Sequence, residues 1–315
     1  MNDKALILLN RSAGRGSQTR RQEQVRAAAA AAGVRVEEAE SPQDLERRAR
    51  EAAQAGCERV IAAGGDGTAH LVLNGVAGTK AAFGIIPCGN GNDLAVNLGI
   101  PRGLDEAARL AFSAPARAMD LCRLEPQGRY FADIASFGLD SVANRFANDH
   151  RGPLRGMPLY VWAMLRALLS YRCPRCSVSA DNPLAVEYAP AAALATHLQD
   201  PATDRQHWED SMLLLVAANG ASYGGGMKIA PQARMDDGRM DIVAVRRMSR
   251  LKLLWCFPEV FTGRHLRREE VSFFRCTRAR IEADRPLEIF ADGEFVGHTP
   301  VEVTVIPGAL RVIAP

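Results

Sequence analysis

Three times in its first hundred residues this chain passes through a short apolar stretch, breaks into a turn of small and polar residues, and enters a helix-forming segment. Ala5–Leu9 gives way to Asn10-Arg11-Ser12-Ala13-Gly14-Arg15-Gly16-Ser17, and Arg59–Ala63 to Gly64-Gly65-Asp66-Gly67-Thr68. Phe83–Ile86 gives way to Pro87-Cys88-Gly89-Asn90-Gly91-Asn92-Asp93. Runs this short and this continuously apolar fit strands covered on both faces. Segments 18–32 and Asp44–Ala55 are rich in Gln, Glu, Arg and Ala and stop at Gly33 and Gly56, so they read as helices. Val34–Val36 adds a strand, and Ala69–Asn74 a helix. Strands alternating with helices connect by right-handed crossovers into a parallel sheet. Turns leaving the carboxyl ends of neighbouring strands then share one edge, where α/β folds bind ligands.

The pattern changes after Asp120-Leu121-Cys122. One helix is expected over Leu159–Tyr171. Short strands then follow closely at Ser211–Asn219, Gly238–Arg246, Glu269–Cys276, Arg280–Ala283, Leu287–Ala291, Val301–Val305 and Leu310–Ile313, as in an antiparallel sandwich. The expected organisation is an α/β domain over residues 1–122 and a β-sandwich domain over 123–315, the last strand being a candidate to return to the first domain. Residues 182–210 read as an excursion between strands.

Composition narrows the function. Hydrophobic residues at 47% and charged residues at 24% exclude disorder, and 39 Lys and Arg against 36 Asp and Glu leave only +3. A nucleic-acid partner is excluded on that balance. Seven cysteines in mostly apolar contexts fit buried thiols in a reducing compartment. The lone Cys173-Pro-Arg-Cys176 has no second pair to complete a zinc site. No apolar run reaches the ~18 residues of a membrane span, and Ala5–Leu9 is short for a signal core, so a cytoplasmic location is expected.

Glycines at a strand-to-helix turn let backbone N–H groups approach a polyphosphate at a helix N-terminus. Asp66, set among them, is placed to hold a metal-bound phosphate, although the same residues can form a plain tight turn. The second turn, Pro87–Asp93, makes the pair more specific than either alone. Neither a Walker A sequence nor a full G-x-G-x-x-G is present, which excludes a P-loop NTPase and an ordinary Rossmann dehydrogenase.

Asn10–Gly14, Gly64–Thr68 and Pro87–Asp93 resemble the diacylglycerol kinase catalytic domain family, which also includes sphingosine and ceramide kinases. Later segments resemble the bacterial soluble lipid kinases in order: Phe137-Gly138-Leu139-Asp140, Asn219-Gly220 with Gly224–Met227, Ala230-Pro231, Asp236-Asp237-Gly238, Asp292-Gly293-Glu294 and Pro307–Leu310. The resemblance implies an ATP cleft between the two domains and transfer of the γ-phosphate to a lipid hydroxyl with Mg2+. By resemblance Glu294 is the general base, and Asp66, Asp93 and Asp120 belong to an acidic metal-bridging network. Asp237, with the carbonyls of Arg234 and Arg239, matches a second, structural magnesium site. Nucleotide contacts are expected at Asn10, Arg11, Ser12, Ala13, Gly14, Ser41, Gly64, Gly65, Asp66, Gly67, Thr68, Gly89, Asn90, Asn92 and Asp93. A homodimer is compatible with the family.

The chain departs from the family pattern at His70-Leu71, where Asn-Glu is usual, at Asn90, where Thr is common, and at Arg11, where Pro is common. His70 reads either as a phosphate or ribose contact or as a helix-surface residue. Arg11, Arg15, Arg20, Arg21 and Arg26 face one acid, Glu23, and read either as a solvated face or as a contact with anionic lipid at a membrane surface. Two alternatives stay open at this point: an NAD kinase-like or phosphofructokinase-like enzyme, and a catalytically silent nucleotide- or lipid-binding protein.

Overall fold

The computed structural model describes residues 2–10, 17–150, 154, 156–185, 198–200 and 205–315. The chain opens with β1 (Asn2–Asn10), α1 (Ser17–Ala32), β2 (Val34–Ala39), α2 (Pro42–Gln54), β3 (Arg59–Gly64), α3 (Asp66–Val76) and β4 (Ala82–Pro87). Next come α4 (Asp93–Asn97), α5 (Leu104–Ser113), β5 (Ala116–Glu125), β6 (Arg129–Phe131), β7 (Ile134–Gly138), α6 (Leu139–Asp149) and α7 (Gly156–Ser170). It continues through β8 (Arg175–Asp181), β9 (Leu184–Ala185), β10 (Leu198–Asp200), β11 (Arg205–Ala218), β12 (Met240–Arg246) and α8 (Arg250–Cys256). The last strands are β13 (Val271–Cys276), β14 (Arg278–Ala283), β15 (Glu288–Ala291), β16 (Glu294–His298) and β17 (Val301–Ile313). Two units result, Met1–Leu121 with Pro307–Pro315, and Cys122–Ile306.

The first unit holds a parallel sheet in the order β2-β1-β3-β4, extended by the end of β17, where Arg311 and Val312 pair in parallel with Ala82 and Phe83. Leu6–Leu9, Val60–Ala63 and Ala82–Ile86 are buried along their length, which is why their sequences are apolar without alternation. Helix α3 starts at Asp66, earlier than the expected Ala69. Gly65 caps it, and an acid is favourable in a first helical turn, so the glycine motif is itself the helix start. Val301–Val305 and Leu310–Ile313, expected as two strands, form the single strand β17, in which Gly308 (φ +62°) absorbs the break that Pro307-Gly308 suggested.

The second unit is a β-sandwich. One antiparallel sheet runs β9-β13-β12-β11-β7-β15-β16, and the other pairs β10, the first half of β11, β8, β14 and the first part of β17. Strand β11 passes from one sheet to the other at Ser211–Met212. Between the sheets lie Phe137, Val178, Ile242, Ile281 and Val303, with Trp208 stacked on Phe274 at 4.1 Å between ring centroids. The outer face of the first sheet buries Val216, Val243 and Phe273 against α6 and α7, through Leu139, Ala143, Ala163 and Ala167. Strand β12 is therefore apolar on both sides. All seven cysteines are free thiols. Among the described residues no helix is long and apolar enough to cross a membrane.

Candidate active site

Strands β1, β3 and β4 are parallel neighbours, so Asn10, Gly64 and Pro87 end at one edge of the sheet. There the two glycine turns touch through their backbones. A Cβ on Gly89 would lie 2.5 Å from the Gly65 Cα, and one on Gly64 would lie 2.3 Å from the Thr68 Oγ1. A Cβ on Gly91 would lie 2.7 Å from the Asp66 Oδ2. That same Oδ2 accepts the Asn92 N–H at 2.7 Å, and the Cys88 N–H donates to the Gly64 carbonyl at 2.8 Å. Asn92 sits at φ +58° and closes its own turn, accepting the Gly89 N–H at 2.9 Å and donating through Nδ2 to the Gly89 carbonyl at 2.8 Å. From α1, Arg21 donates to the Gly89 carbonyl at 3.1 Å and Gln22 to the Asn10 carbonyl at 3.2 Å. Helix α1 thus reaches both the end of β1 and the second glycine turn.

The expected nucleotide residues fall into several groups. Gly64–Thr68, Gly89, Asn92 and Asn10 share this edge; Asn90 is exposed on the second turn, and Asp93 opens α4. Ser41 follows β2 and caps α2, accepting the Asp44 N–H at 3.1 Å. Arg11, Ser12, Ala13, Gly14 and Arg15 lie outside the described residues. Asp120 is buried on β5, where Oδ1 accepts the Gly308 N–H at 2.8 Å. Asp66, Asp93 and Asp120 do not make a three-carboxylate cage: among the described residues no three Asp, Glu, His or Cys side chains converge on a metal position. His70 is not a helix-surface residue. It is buried on α3, beside the Asn74 amide, 3.4 Å from its Nε2. In the basic run, Arg21 is bound to the second turn and Arg26 is ion-paired with Glu38.

The glycines at this edge let the two turns pack backbone against backbone, with their N–H-bearing segments at a helix N-terminus and Arg21 bonded to the second turn. That fits the phosphates of a nucleotide. The half-buried Asp66 carboxylate beside such phosphates calls for a cation between the two negative groups, and Mg2+ is commonly held by one or two carboxylates plus substrate phosphate. At the other proposed metal position, Asp237 Oδ1 accepts the Arg239 N–H at 3.1 Å and Oδ2 lies 3.6 Å from Arg275 Nη1. The Arg234 side chain is ion-paired with Asp236, Nε to Oδ1 at 3.2 Å. Since a guanidinium already faces Asp237, the side chains alone build no magnesium cage there.

In the second unit, Asp292 (φ +49°) and Gly293 (φ +83°) form a two-residue hairpin turn between β15 and β16. The Asp292 carboxylate accepts three backbone N–H groups, from Ala132 at 3.0 Å, Asp133 at 2.9 Å and Ile134 at 3.1 Å. Its own N–H donates to the Ile134 carbonyl at 2.9 Å, and the Asn148 side chain donates to the Gly293 carbonyl at 3.2 Å. Glu294 follows, exposed at the start of β16 and paired with Ala291. The glycine beside it is therefore a pinned turn residue. Nearby, the Arg145 guanidinium lies 5.1 Å from the Phe295 ring centre and bonds Glu288, Nε to Oε2 at 2.7 Å.

Sequence reasoning gave no role to Asp140. It is fully buried, and desolvation pushes its pKa up to about 6, partly offset by hydrogen bonds that include the Tyr223 hydroxyl at 3.1 Å. Nor did it foresee that Arg21, read there as part of a basic run, bonds the second turn, or that the Asp292 carboxylate collects backbone amides. Their partners lie far away in sequence, at Gly89 and at residues 132–134, so no local spacing signals them.

Residues 4–124 match the family described as Diacylglycerol kinase catalytic domain, and residues 133–314 match the YegS C-terminal NAD kinase beta sandwich-like domain. The chain belongs to the diacylglycerol kinase and YegS family of lipid kinases. It is 33% identical over 264 residues to "Diacylglycerol kinase" of Mycobacterium tuberculosis, covering 82% of this chain and 78% of that one. Against "Probable lipid kinase YegS-like" of Chromohalobacter salexigens it is 30% identical, covering 85% and 80%. A crystal structure of a diacylglycerol kinase from Bacillus anthracis shares the fold, with a TM-score of 0.70 at 19% identity over 99% and 97% of the two chains. An α/β unit followed by a β-sandwich, as the sequence implies, is the architecture of this lipid kinase. The lipid-kinase names of the relatives set aside the NAD kinase-like and phosphofructokinase-like alternatives.

Proposed function

We propose that this lipid kinase transfers the γ-phosphate of ATP, bound with Mg2+, to the hydroxyl of a membrane lipid alcohol, with diacylglycerol as the leading acceptor. One observation carries the nucleotide half: two glycine turns in backbone contact, with Asp66 Oδ2 bonded to the Asn92 N–H, at the carboxyl edge of three parallel strands. Bare backbone there cradles phosphates, and Arg21 stabilises the second turn through the Gly89 carbonyl. Mg-ATP, when bound, supplies the phosphoryl group with its charge neutralised. Asp66, the first residue of α3, holds the metal-bound phosphates, and Gly67 and Thr68 continue the first turn of the helix whose N-terminus faces them. Glu294, exposed on a hairpin whose tip is fixed by Asp292, takes the hydroxyl proton as the acceptor oxygen attacks. The names of the M. tuberculosis and C. salexigens relatives favour a lipid acceptor. The enzyme works peripherally at a cytoplasmic membrane surface. Incubating the chain with [γ-32P]ATP, Mg2+ and mixed micelles of diacylglycerol, monoacylglycerol, a sphingoid base, a polyprenol or phosphatidylglycerol tests the reading. Label entering one lipid is the expected result, and label entering none of them overturns it.

A further inference from the structure

The helices covering the sandwich carry apolar side chains that the fold leaves in water. On α8, Leu251, Leu254 and Trp255 stand at i, i+3 and i+4 and are 81%, 44% and 69% exposed. On its other face Leu253 and Cys256 turn inward and line a small apolar cavity of about 80 Å3. The inner face thus accounts for the packing of the helix, and the outer one does not. A second stripe runs along α7, where Trp162, Leu165 and Leu169 are exposed, Leu169 by 71%. The stripes adjoin, because the Arg250 Nη2 at the start of α8 donates to the Leu169 carbonyl at the end of α7 at 2.9 Å. An apolar surface of this kind marks an interaction site.

Its rim is basic. Residues 246–270 contain seven Arg and Lys against three Glu, more positive than the +3 of the whole chain. The three acids are already engaged, Glu259 with Arg268, and Glu269 and Glu270 with Lys252. Between the two helices an open concavity of about 810 Å3 is lined by Arg172, Arg247 and Arg250 together with Leu168 and Met248. The Arg268 guanidinium lies 4.6 Å from the Trp255 ring centre. Leu side chains and a Trp flanked by Arg are what an interfacial helix presents, the Trp settling at headgroup level and the guanidinium groups meeting lipid phosphate. A second copy of this chain, docked by the same face, would set one cationic rim against another.

We propose that the α7–α8 face docks this kinase on a bilayer containing anionic phospholipid. Leu169, Leu251, Leu254 and Trp255 enter the boundary between headgroups and acyl chains, and Arg172, Arg247 and Arg250 meet the phosphates. The proposal rests on the reading that the acceptor is a membrane lipid, and it places the contact on the second unit and not on the Arg11–Arg26 run.

The test is sedimentation of the full chain with vesicles of 30% phosphatidylglycerol in phosphatidylcholine, and of phosphatidylcholine alone, in low and in physiological salt. The wild type is expected to bind the anionic vesicles and to lose affinity with salt. The double variant Leu251→Ser with Trp255→Ser should lower partitioning at least tenfold, and Arg247→Glu about fivefold at low salt. Thermal melts within 2–3 °C of wild type would show both variants folded, these being exposed positions where substitutions have small effects. Transfer to a short-chain dispersed acceptor should stay within about twofold while transfer to vesicle-borne acceptor falls with binding. Unchanged partitioning in either variant, or no binding by the wild type, overturns the proposal. So does a wild-type dimer that the double variant dissociates, which would make this face an interface between copies. A wild type that binds vesicles through this face yet phosphorylates no lipid leaves the docking intact and refutes the kinase reading instead.

Discussion

Asp292→Asn probes how the proposed base is held. The native carboxylate accepts N–H groups from Ala132, Asp133 and Ile134 at 3.0, 2.9 and 3.1 Å. Asn tolerates the same left-handed backbone, so the turn itself keeps its geometry. Its single oxygen can still serve Asp133 and Ile134, without the charge that roughly doubles such bonds. Its NH2 group, however, replaces the oxygen facing the Ala132 N–H, setting donor against donor. One charge-assisted bond lost and two weakened come to about 2–4 kcal/mol. For a unit the size of Cys122–Ile306, that corresponds to a fall in Tm of roughly 5–12 °C. With the tip unpinned, Glu294 loses its fixed position, and kcat should fall at least tenfold while ATP affinity stays within about twofold. Calorimetry of the second unit's transition, nucleotide titration and a steady-state assay supply the three readouts. A Tm within 1 °C of wild type would refute the claim that these amides hold the hairpin, and lost stability with unchanged kcat would refute the link to Glu294.

Three further outcomes follow from the same contacts. Gly89→Ala forces a Cβ to within 2.5 Å of the Gly65 Cα, so nucleotide affinity should fall more than tenfold by calorimetric titration, with about 1–3 kcal/mol of strain in chemical unfolding. Asp66→Asn keeps an acceptor for the Asn92 N–H but removes the charge, so transfer should fall at least a hundredfold while the thermal melt moves by less than 3 °C; wild-type activity would remove Asp66 from the phosphate site. Asp140, raised to about 6 by burial, binds its proton more tightly folded than unfolded, so its contribution to stability is present below pH 4 and lost as pH rises to 6. Asp140→Asn should therefore stabilise the fold by up to about 3 kcal/mol at pH 8 and by nothing at pH 4, and equal effects at both pH values in urea unfolding would contradict the shift.

What the sequence disclosed follows from how each feature is built. Strands β1, β3 and β4 were legible because burial on both faces leaves continuous apolar runs, and the glycine turns because short-range spacing encodes them. The start of α3 was not, since Gly64-Gly65-Asp66-Gly67 serves equally as a turn or as a cap with the first helical residues. Strand β7 and helix α6 went unseen: Ile134–Gly138 is only five residues, and its buried Ser136 breaks the apolar run. An Asp-Gly hairpin is visible in any sequence, but three amides from residues 132–134 are not, because the fold alone brings them to Asp292. Arg21 looked like one charge in a basic run for the same reason; its partner is a carbonyl 68 residues away.

The role of Glu294 as general base is tested most directly by wild type against Glu294→Gln, with [γ-32P]ATP, Mg2+ and the preferred lipid at saturation. The substitution keeps volume and hydrogen-bonding capacity at an exposed strand end and removes the charged carboxylate that would accept the proton. General-base catalysis contributes roughly 10²–10⁴-fold, or about 3–5 kcal/mol of barrier. Label should enter the lipid fraction with the wild type, and kcat should drop within that range in the variant while Mg-ATP affinity and Tm hold. A variant within a few-fold of wild type would rule out Glu294 as the base of a phosphoryl transfer.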